Sequence, residues 1–505
     1  MKEYDVIVIG AGNAGLSAAA SCAKAGLRTL LLDRNAVPGG VATSFVRGRF
    51  EFEVSLHELM GIGSEEAPGE VRRLLDSLGA PVSWVQEKST FRLVVPGELD
   101  VTMPCGCEEF ADEAERQMPG SRESVAAFLE LGSMAERVLS GFASGSLTPA
   151  ALRRDYPDFL RLASHPLKQV LDALHMPESA QHLVSAYWPY LGTVPEELDA
   201  LLYAIMLHGY VALGAGLPRM RSHELALALD SAIRTSGGDI LYHAEAERFT
   251  VRDGRVRGVV VNGREIPCRA VICSAAPDHL LRDMLPGVSL PKQETLLNAR
   301  QPGMAFNTLY LGMKCTAEQL GLKDYSIFIA PSADPAEQRG RMNGLTGSGY
   351  VILNCLNVAI PGCSPEGTCI LYLTAPVCGD PLAEVDQRDY PLLRQQAAED
   401  MLTRCESALG ISLRPWIEEI GIATPATFAR YSASPRGTPY GFAWQRWDTL
   451  FGRIMAWSGE NPLPNLYLTG AHAEHGGGYS SCLQSGAWAA GQAIHALEKE
   501  VASHE

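Results

Sequence analysis

Positive charge is scarce in this sequence: 42 Lys and Arg stand against 58 Asp and Glu, a formal charge of -16 over 505 residues. Such a balance repels a phosphate backbone and excludes nucleic acid as the main partner, so any bound anion has to be held locally. Ordered cysteine pairs are missing too. Twelve cysteines are scattered from Cys22 to Cys482, only Cys105 and Cys107 lie close together, and no C-x-x-C occurs. A thiol–disulfide centre, a zinc ribbon and a secreted disulfide framework are thereby excluded, no metal site is expected, and a reducing, cytoplasmic setting fits. Met1-Lys2-Glu3 leads at once into an apolar strand too short and too acid-flanked for a signal peptide. The longest uncharged stretch, 200–218, approaches the ~20 residues of a spanning helix. His208, Gly209, Gly214 and Gly216 within it favour a buried helix ending in a loop, which would serve equally as the wall of an apolar site. With 46% hydrophobic and 20% charged residues, disorder, collagen-like repeats and a coiled-coil rod are disfavoured, and the length suggests about three domains.

What is present is concentrated at the start. Tyr4-Asp5-Val6-Ile7-Val8-Ile9 is a β-branched run of the kind buried on both faces of a sheet. Gly10-Ala11-Gly12-Asn13-Ala14-Gly15 follows, then an alanine-rich helix over 16–25, a stop at Gly26, and a second strand, Arg28-Thr29-Leu30-Leu31-Leu32. In such a βαβ unit Gly10 allows the tight turn, Gly12 admits a pyrophosphate, and Gly15 lets the helix pack close on the sheet. The phosphate charge then sits at a helix N-terminus, beside Asn13 and Ala14. Asp33 ends the second strand, where a carboxylate accepts hydrogen bonds from ribose hydroxyls. A dinucleotide is expected here.

The next segment carries a resemblance. Arg34 and the turn Pro38-Gly39-Gly40-Val41-Ala42-Thr43-Ser44 resemble the second signature of the FAD-binding amine oxidase and phytoene desaturase superfamily, with Val41 where an arginine is usual. The continuation Phe50-Glu51-Phe52-Glu53-Val54-Ser55-Leu56-His57 is similar to that of carotenoid isomerases, phytoene desaturases and retinol saturases, with Glu53 for their acid and Ser55 for a glycine. The resemblance implies FAD, with Ser55 and Leu56 near the flavin ring. The stretch 240–258 resembles the strand that contacts adenine, placing Ala246 there. Ala270-Val271-Ile272-Cys273-Ser274 reads as a buried strand ending under the cofactor. Near the C-terminus, Leu466-Tyr467-Leu468-Thr469-Gly470, then Gly476-Gly477-Gly478-Tyr479 and a helix over 480–496, resemble the final motif of the same family. Gly470 would lie by the diphosphate, and Gly478 with Tyr479 by the ring.

These blocks imply an α/β fold: a discontinuous Rossmann-like FAD-binding domain in the pieces 1–90, 214–290 and 456–505. Between them fall a substrate strand and helical cap (91–213) and an α+β substrate domain (291–455). Substrate-sheet strands are expected over 91–95, 308–311 and 369–374, with helices dominating 107–213. No second G-x-G-x-x-G exists, so no dedicated NADPH domain is expected. The flavin would be reset by oxygen, a quinone or a transiently bound NAD(P)H. For catalysis, His57 is expected near the ring, Tyr479 at the ring or delivering a proton, and Arg430 and Tyr431 at a polar end of the substrate. Tyr440 and Phe442 would supply apolar walls. His472 and His475 could face the substrate, and Tyr187-Trp188-Pro189-Tyr190 could line a tunnel. The function implied is reduction, desaturation or isomerisation of a carbon–carbon double bond in an apolar isoprenoid, polyene or steroid-like enone. An amine or amino-acid oxidase shares every FAD motif, although such enzymes commonly close the site with paired aromatics and here Gly476, Gly477 and Gly478 leave only Tyr479. A non-enzymatic lipid-binding escort protein of the same fold is the reading from another class, and peripheral contact of the cap with a membrane stays open.

Overall fold

The computed structural model describes residues 3–383, 385–456 and 459–502. Met1 and Lys2, part of the stretch read above for a leader, lie outside them.

Val6, Ile7 and Val8 are wholly buried, as an apolar run with no polar alternation demands, and Tyr4–Ile9 (β1) runs through the middle of a seven-stranded sheet. It pairs in parallel with Thr29–Leu32 (β2) on one side and with Arg264–Cys273 on the other, Val8 lying opposite Leu31 and Ile272. Asp239–Leu241 extends the sheet beyond β2, and Leu466–Leu468 adds a parallel strand to Arg264–Cys273. Ala246–Arg252 and Arg255–Val261 complete the sheet as an antiparallel meander. The tight turn between them uses Asp253 and Gly254, both at positive φ, as a two-residue hairpin requires. Helix Asn13–Lys24 (α1) covers one face and packs against Ser222–Thr235 and Tyr479–Ala502. Ser17 Oγ donates to the Leu483 carbonyl at 2.7 Å across that contact.

A second seven-stranded sheet is built from 89–104 and 305–423 and contains the expected substrate strands. Ala305–Met313 and Cys369–Val377 are buried throughout and pair from Ala305 opposite Val377 to Met313 opposite Cys369. Their side chains alternate between two cores. Leu309, Leu311, Leu371 and Leu373 pack with Met401, Leu402 and Cys405 of helix Tyr390–Leu409, whereas Tyr310 and Tyr372 join the larger core on the other face. Ser89–Val95 joins this sheet in parallel through Ser326–Ile329.

The cap is helical, from Cys107–Gln117 and Arg122–Ala143 through four short helices to Ala200–Leu213. That last helix starts where Asp199 accepts the N–H groups of Leu201 and Leu202, and it stops at Gly214, whose φ is +70°. Gly132 lets it approach the long cap helix closely, since a Cβ there would stand 2.3 Å from the Ala204 carbonyl oxygen. Among the described residues no helix is long and apolar enough to cross a membrane.

Candidate functional site

A large cavity runs from the C-terminal ends of β1 and β2 to the underside of the cap. Its floor is made of glycine turns. Gly10 has φ +93°, and a Cβ on it would meet Ser274 Oγ at 2.2 Å. A Cβ on Gly15 would stand 1.7 Å from the Gly10 carbonyl oxygen, so only glycine lets α1 seat this close to the strand end. The second turn is laced to the first: Gly39 N–H donates to the Ala11 carbonyl at 2.7 Å, and Gly40 packs on Gly12.

The charges match an anion held by peptide groups. No side chain caps α1 at Gly12 and no acid stands in its first turn, which leaves N–H groups free at the cavity. Asn13 Oδ1 is buried there without a partner. Gly470 and Gly478, at φ +95° and +126°, lead the C-terminal strand into helix Tyr479–Ala502, whose start also opens on the cavity. Arg34 is the one Lys or Arg lining the cavity among the described residues. Asp33, 8% exposed, accepts from Ala11 N at 2.6 Å through Oδ2 and from Asn35 N at 2.6 Å through Oδ1. Ala246 lines the same end. These residues fit a dinucleotide: an open helix terminus for phosphates, a preset carboxylate for a ribose, and glycines where backbone must approach.

Further in, Val41, Ala42, Ser55 and Leu56 line the wall, and Ser55 Oγ donates to the Val41 carbonyl at 2.8 Å. Tyr479 also lines it, but its hydroxyl is engaged in a buried cluster, 2.9 Å from Ser222 Oγ, 3.3 Å from Ser55 Oγ and 3.4 Å from Glu53 Oε1. Burial, then the neighbouring Glu53 carboxylate, holds this phenol well above its ordinary pKa. Burial also raises Glu53, against the Ser222 N–H that donates to its Oε2 at 2.8 Å. Gly476 admits a neighbour that sequence reading missed, since a Cβ there would stand 2.5 Å from the Trp444 ring, and Gly477 admits Tyr440, whose Cα would lie 2.3 Å from a Cβ. Trp444 and Tyr440 both line the cavity.

The far wall is apolar, with Leu202, Ile205, Met206 and Tyr210 from the cap and Phe306 from the second sheet. His57 Nε2 lies 3.0 Å from Thr374 Oγ1, its carbonyl accepts the Tyr325 hydroxyl, and its ring sits 5.8 Å from that of Tyr190. Burial pulls its pKa down to about 4, so it is a neutral imidazole. Glu58, which the sequence reading passed over, lines the cavity beside it, and its Oε1 accepts from Tyr190 Oη and Ser326 Oγ, each at 2.9 Å. The available signal was an acid set within the apolar run Leu56, Leu59, Met60 and Ile62.

Arg430 and Tyr431 require a correction. Their backbone carbonyls accept from Arg34 Nη2 at 3.2 and 3.1 Å, which puts them at the Asp33 end and not at the substrate wall. Tyr431 is 61% exposed at the rim, and Arg430 does not line the cavity. Phe442 departs from expectation as well: it faces a separate small cleft, with Arg300 over its ring at 5.5 Å and the His472 ring at 5.0 Å. His472 and His475 both reach the cavity. Burial lowers His472 to a pKa of about 4, while His475 Nδ1 lies 2.8 Å from Glu474 Oε1. Of the cap aromatics, Tyr190 lines the cavity, whereas Tyr187 and Trp188 are buried behind it. Among the described residues no group of three or more His, Cys, Asp or Glu is placed to hold a metal ion.

Residues 8–78 match the NAD(P)-binding Rossmann-like domain family. The chain is 25% identical to an all-trans-retinol 13,14-reductase of Macaca fascicularis over 93% of its own length and 82% of the relative's. It is 24% identical to a chloroplastic prolycopene isomerase of Daucus carota, covering 89% and 75% of the two chains. In fold it is similar to a putrescine oxidase redesigned in cofactor binding, with a TM-score of 0.66 and 14% identity over 98% of this chain and 99% of the other. The chain is thus similar in sequence to these reductases and isomerases over most of its length, and similar in fold to that oxidase.

Proposed function

We propose that this homologue of retinol reductases and prolycopene isomerases is an FAD-dependent oxidoreductase that reduces, desaturates or isomerises a carbon–carbon double bond in an apolar isoprenoid or polyene. The carrying observation is that one continuous cavity joins the Gly10–Asp33 cradle to the apolar wall of Leu202, Ile205, Met206 and Phe306. Asp33 would hold the ribose; the N–H groups at the start of α1, with Gly39, Gly40 and Gly470, would hold the diphosphate. Val41, Ala42, Ser55, Leu56 and Gly478 would border the ring. Bound there, the flavin supplies hydride exchange with a substrate carbon. The protein's own part is to keep water out, to hold an extended apolar chain against the ring, and to present the neutral His57 at its edge.

The electron partner in this reading is oxygen, a quinone or a transiently bound NAD(P)H. The twelve free cysteines agree with a cytoplasmic or otherwise reducing location. Anaerobic incubation of the yellow protein with polyenes, enones and amines tests the reading. Bleaching of the oxidised flavin by a saturated or partly saturated isoprenoid, or reoxidation of the reduced protein by a polyene, is the expected result. Bleaching by amines alone would replace it with an amine oxidase, and a colourless protein that takes up no FAD would favour a lipid escort.

A further inference from the structure

Tyr187 has one hydroxyl proton and two acceptors for it. Its oxygen lies 2.7 Å from the Thr90 carbonyl oxygen and 2.9 Å from Glu58 Oε2. A carbonyl cannot donate. If Tyr187 gives its proton to Glu58, the 2.7 Å contact with Thr90 is left as two facing lone pairs. If it gives the proton to Thr90 and Glu58 is ionised, the contact with Oε2 is the bare one. Only a neutral Glu58, with its proton on Oε2 and donated to Tyr187, puts a proton into each contact. Oε1 then remains the acceptor for Tyr190 and Ser326, and every polar atom in the cluster is satisfied.

The surroundings agree. Facing Glu58 are Tyr187 and Tyr190 from the cap turn, Tyr210 from helix Ala200–Leu213, Tyr325 ahead of Ser326–Ile329, Cys105 after Leu99–Pro104, and Glu87 ahead of Ser89–Val95. None of these is a cation, and adjacent His57 is neutral. Burial pushes Glu58 up to about 7, against the lowering by hydrogen bonds with Ser326, Tyr187 and Tyr190. Glu87 is raised well above the carboxylate range by burial and then by the neighbouring Glu58, and its Oε1 has no hydrogen-bond partner.

We propose that Glu58 is the proton donor on the substrate side of the cavity, a carboxylic acid that is neutral at rest and is caught as a carboxylate by Tyr187, Tyr190 and Ser326 once its proton has left. This rests on the double-bond reading of the function. In the reducing direction one carbon of the double bond would receive a hydride, with both electrons, which FAD held in the cradle would supply once a nicotinamide or another two-electron donor had reduced it. The neighbouring carbon takes the proton as the Glu58 O–H bond breaks, and the π pair becomes the new C–H bond. Desaturation is the reverse, with Glu58 starting as the carboxylate. Tyr187 then turns its proton from the Thr90 carbonyl to Oε2 with no heavy atom moving, so the new anion has three hydroxyl donors. Solvent returns the proton to Glu58.

Glu58→Gln tests this with shape retained, since an amide can donate to Tyr187 and accept from Tyr190 and Ser326. In infrared spectra of the flavin-loaded protein without substrate, the wild type should show a carboxylic-acid C=O band that fades as pH rises through about 7 and is missing from Glu58→Gln, beside a band of the raised Glu87 that both proteins keep. Turnover of a polyene that the wild type accepts should fall about 100- to 10,000-fold, the usual worth of general acid catalysis, with KM and the flavin spectrum unchanged. A wild-type-minus-Glu58→Gln difference spectrum that lacks this band, or wild-type turnover by Glu58→Gln, overturns the proposal. Wild type that shows the band yet transforms no olefin would sink the double-bond reading, and the donor role with it, while leaving the neutral acid in place.

Discussion

A Cβ built on Gly486 would stand 2.1 Å from the carbonyl oxygen of Ala14, so the last helix lies in backbone contact with α1. Gly486→Ala must push the two helices apart, at a cost of about 1–3 kcal/mol for overpacking. Thermal melting should show a clear drop, with weaker flavin retention because α1 starts the cradle. Gly491→Ala, on the same helix with nothing within 4 Å of its Cβ, should melt no lower than the parent. Equal behaviour of the two variants would contradict the close contact.

Asp33→Ala removes the acceptor for the Ala11 and Asn35 N–H groups. Each hydrogen bond to a charged acceptor is worth roughly 1.5–3 kcal/mol. Flavin content after gel filtration should fall sharply while the fold survives, since the loss is confined to one strand end. Unchanged occupancy would show that the ribose contact lies elsewhere.

Buried His57 and His472 are both lowered from 6.5 to about 4. Between these values the unfolded chain binds more protons than the folded one, so stability is whole above about pH 6.5 and drains away as pH falls toward 4. Each site contributes up to about 1.4 kcal/mol per pH unit. Urea melts at a series of pH values should show a shallower acid slope for His57→Asn. A slope equal to that of the parent would mean that His57 is already charged in the folded state.

Tyr479→Phe separates two roles. Because the hydroxyl is spent on Ser222, Ser55 and Glu53, its loss should cost on the order of 1 kcal/mol in stability and leave the rate of flavin reduction by substrate nearly unchanged. A large fall in that rate, followed by stopped-flow absorbance, would restore Tyr479 as a proton carrier.

The cradle was legible because its parts are local. Val6, Ile7 and Val8, the turn from Gly10 to Gly15, and Asp33 fall within one βαβ unit, where strand burial and glycine geometry follow from neighbouring residues alone. The substrate strands were visible for the same reason, as runs such as Cys369-Ile370-Leu371-Tyr372-Leu373. The proton chemistry was not. Glu58 is defined by Tyr187, Tyr190 and Ser326, which lie 129, 132 and 268 residues away, and no periodicity in any one segment brings them together. Arg430 and Tyr431 were misplaced along the cavity because a motif shows that a segment approaches a cofactor, but not which end it reaches; the Arg34 contacts fix that. Trp444 escaped notice because the room for its ring is made by Gly476, far along the chain.

The peptide-lined cradle also bears on ionic strength. Surface ion pairs fade once salt shortens the Debye length to about 10 Å at 0.1 M. Fixed N–H dipoles at two helix starts would face a bound diphosphate directly, inside any such screening distance. With Arg34 as the only lining cation among the described residues, the holoprotein should keep its dinucleotide in salt concentrations that would strip a ligand held by surface lysines and arginines.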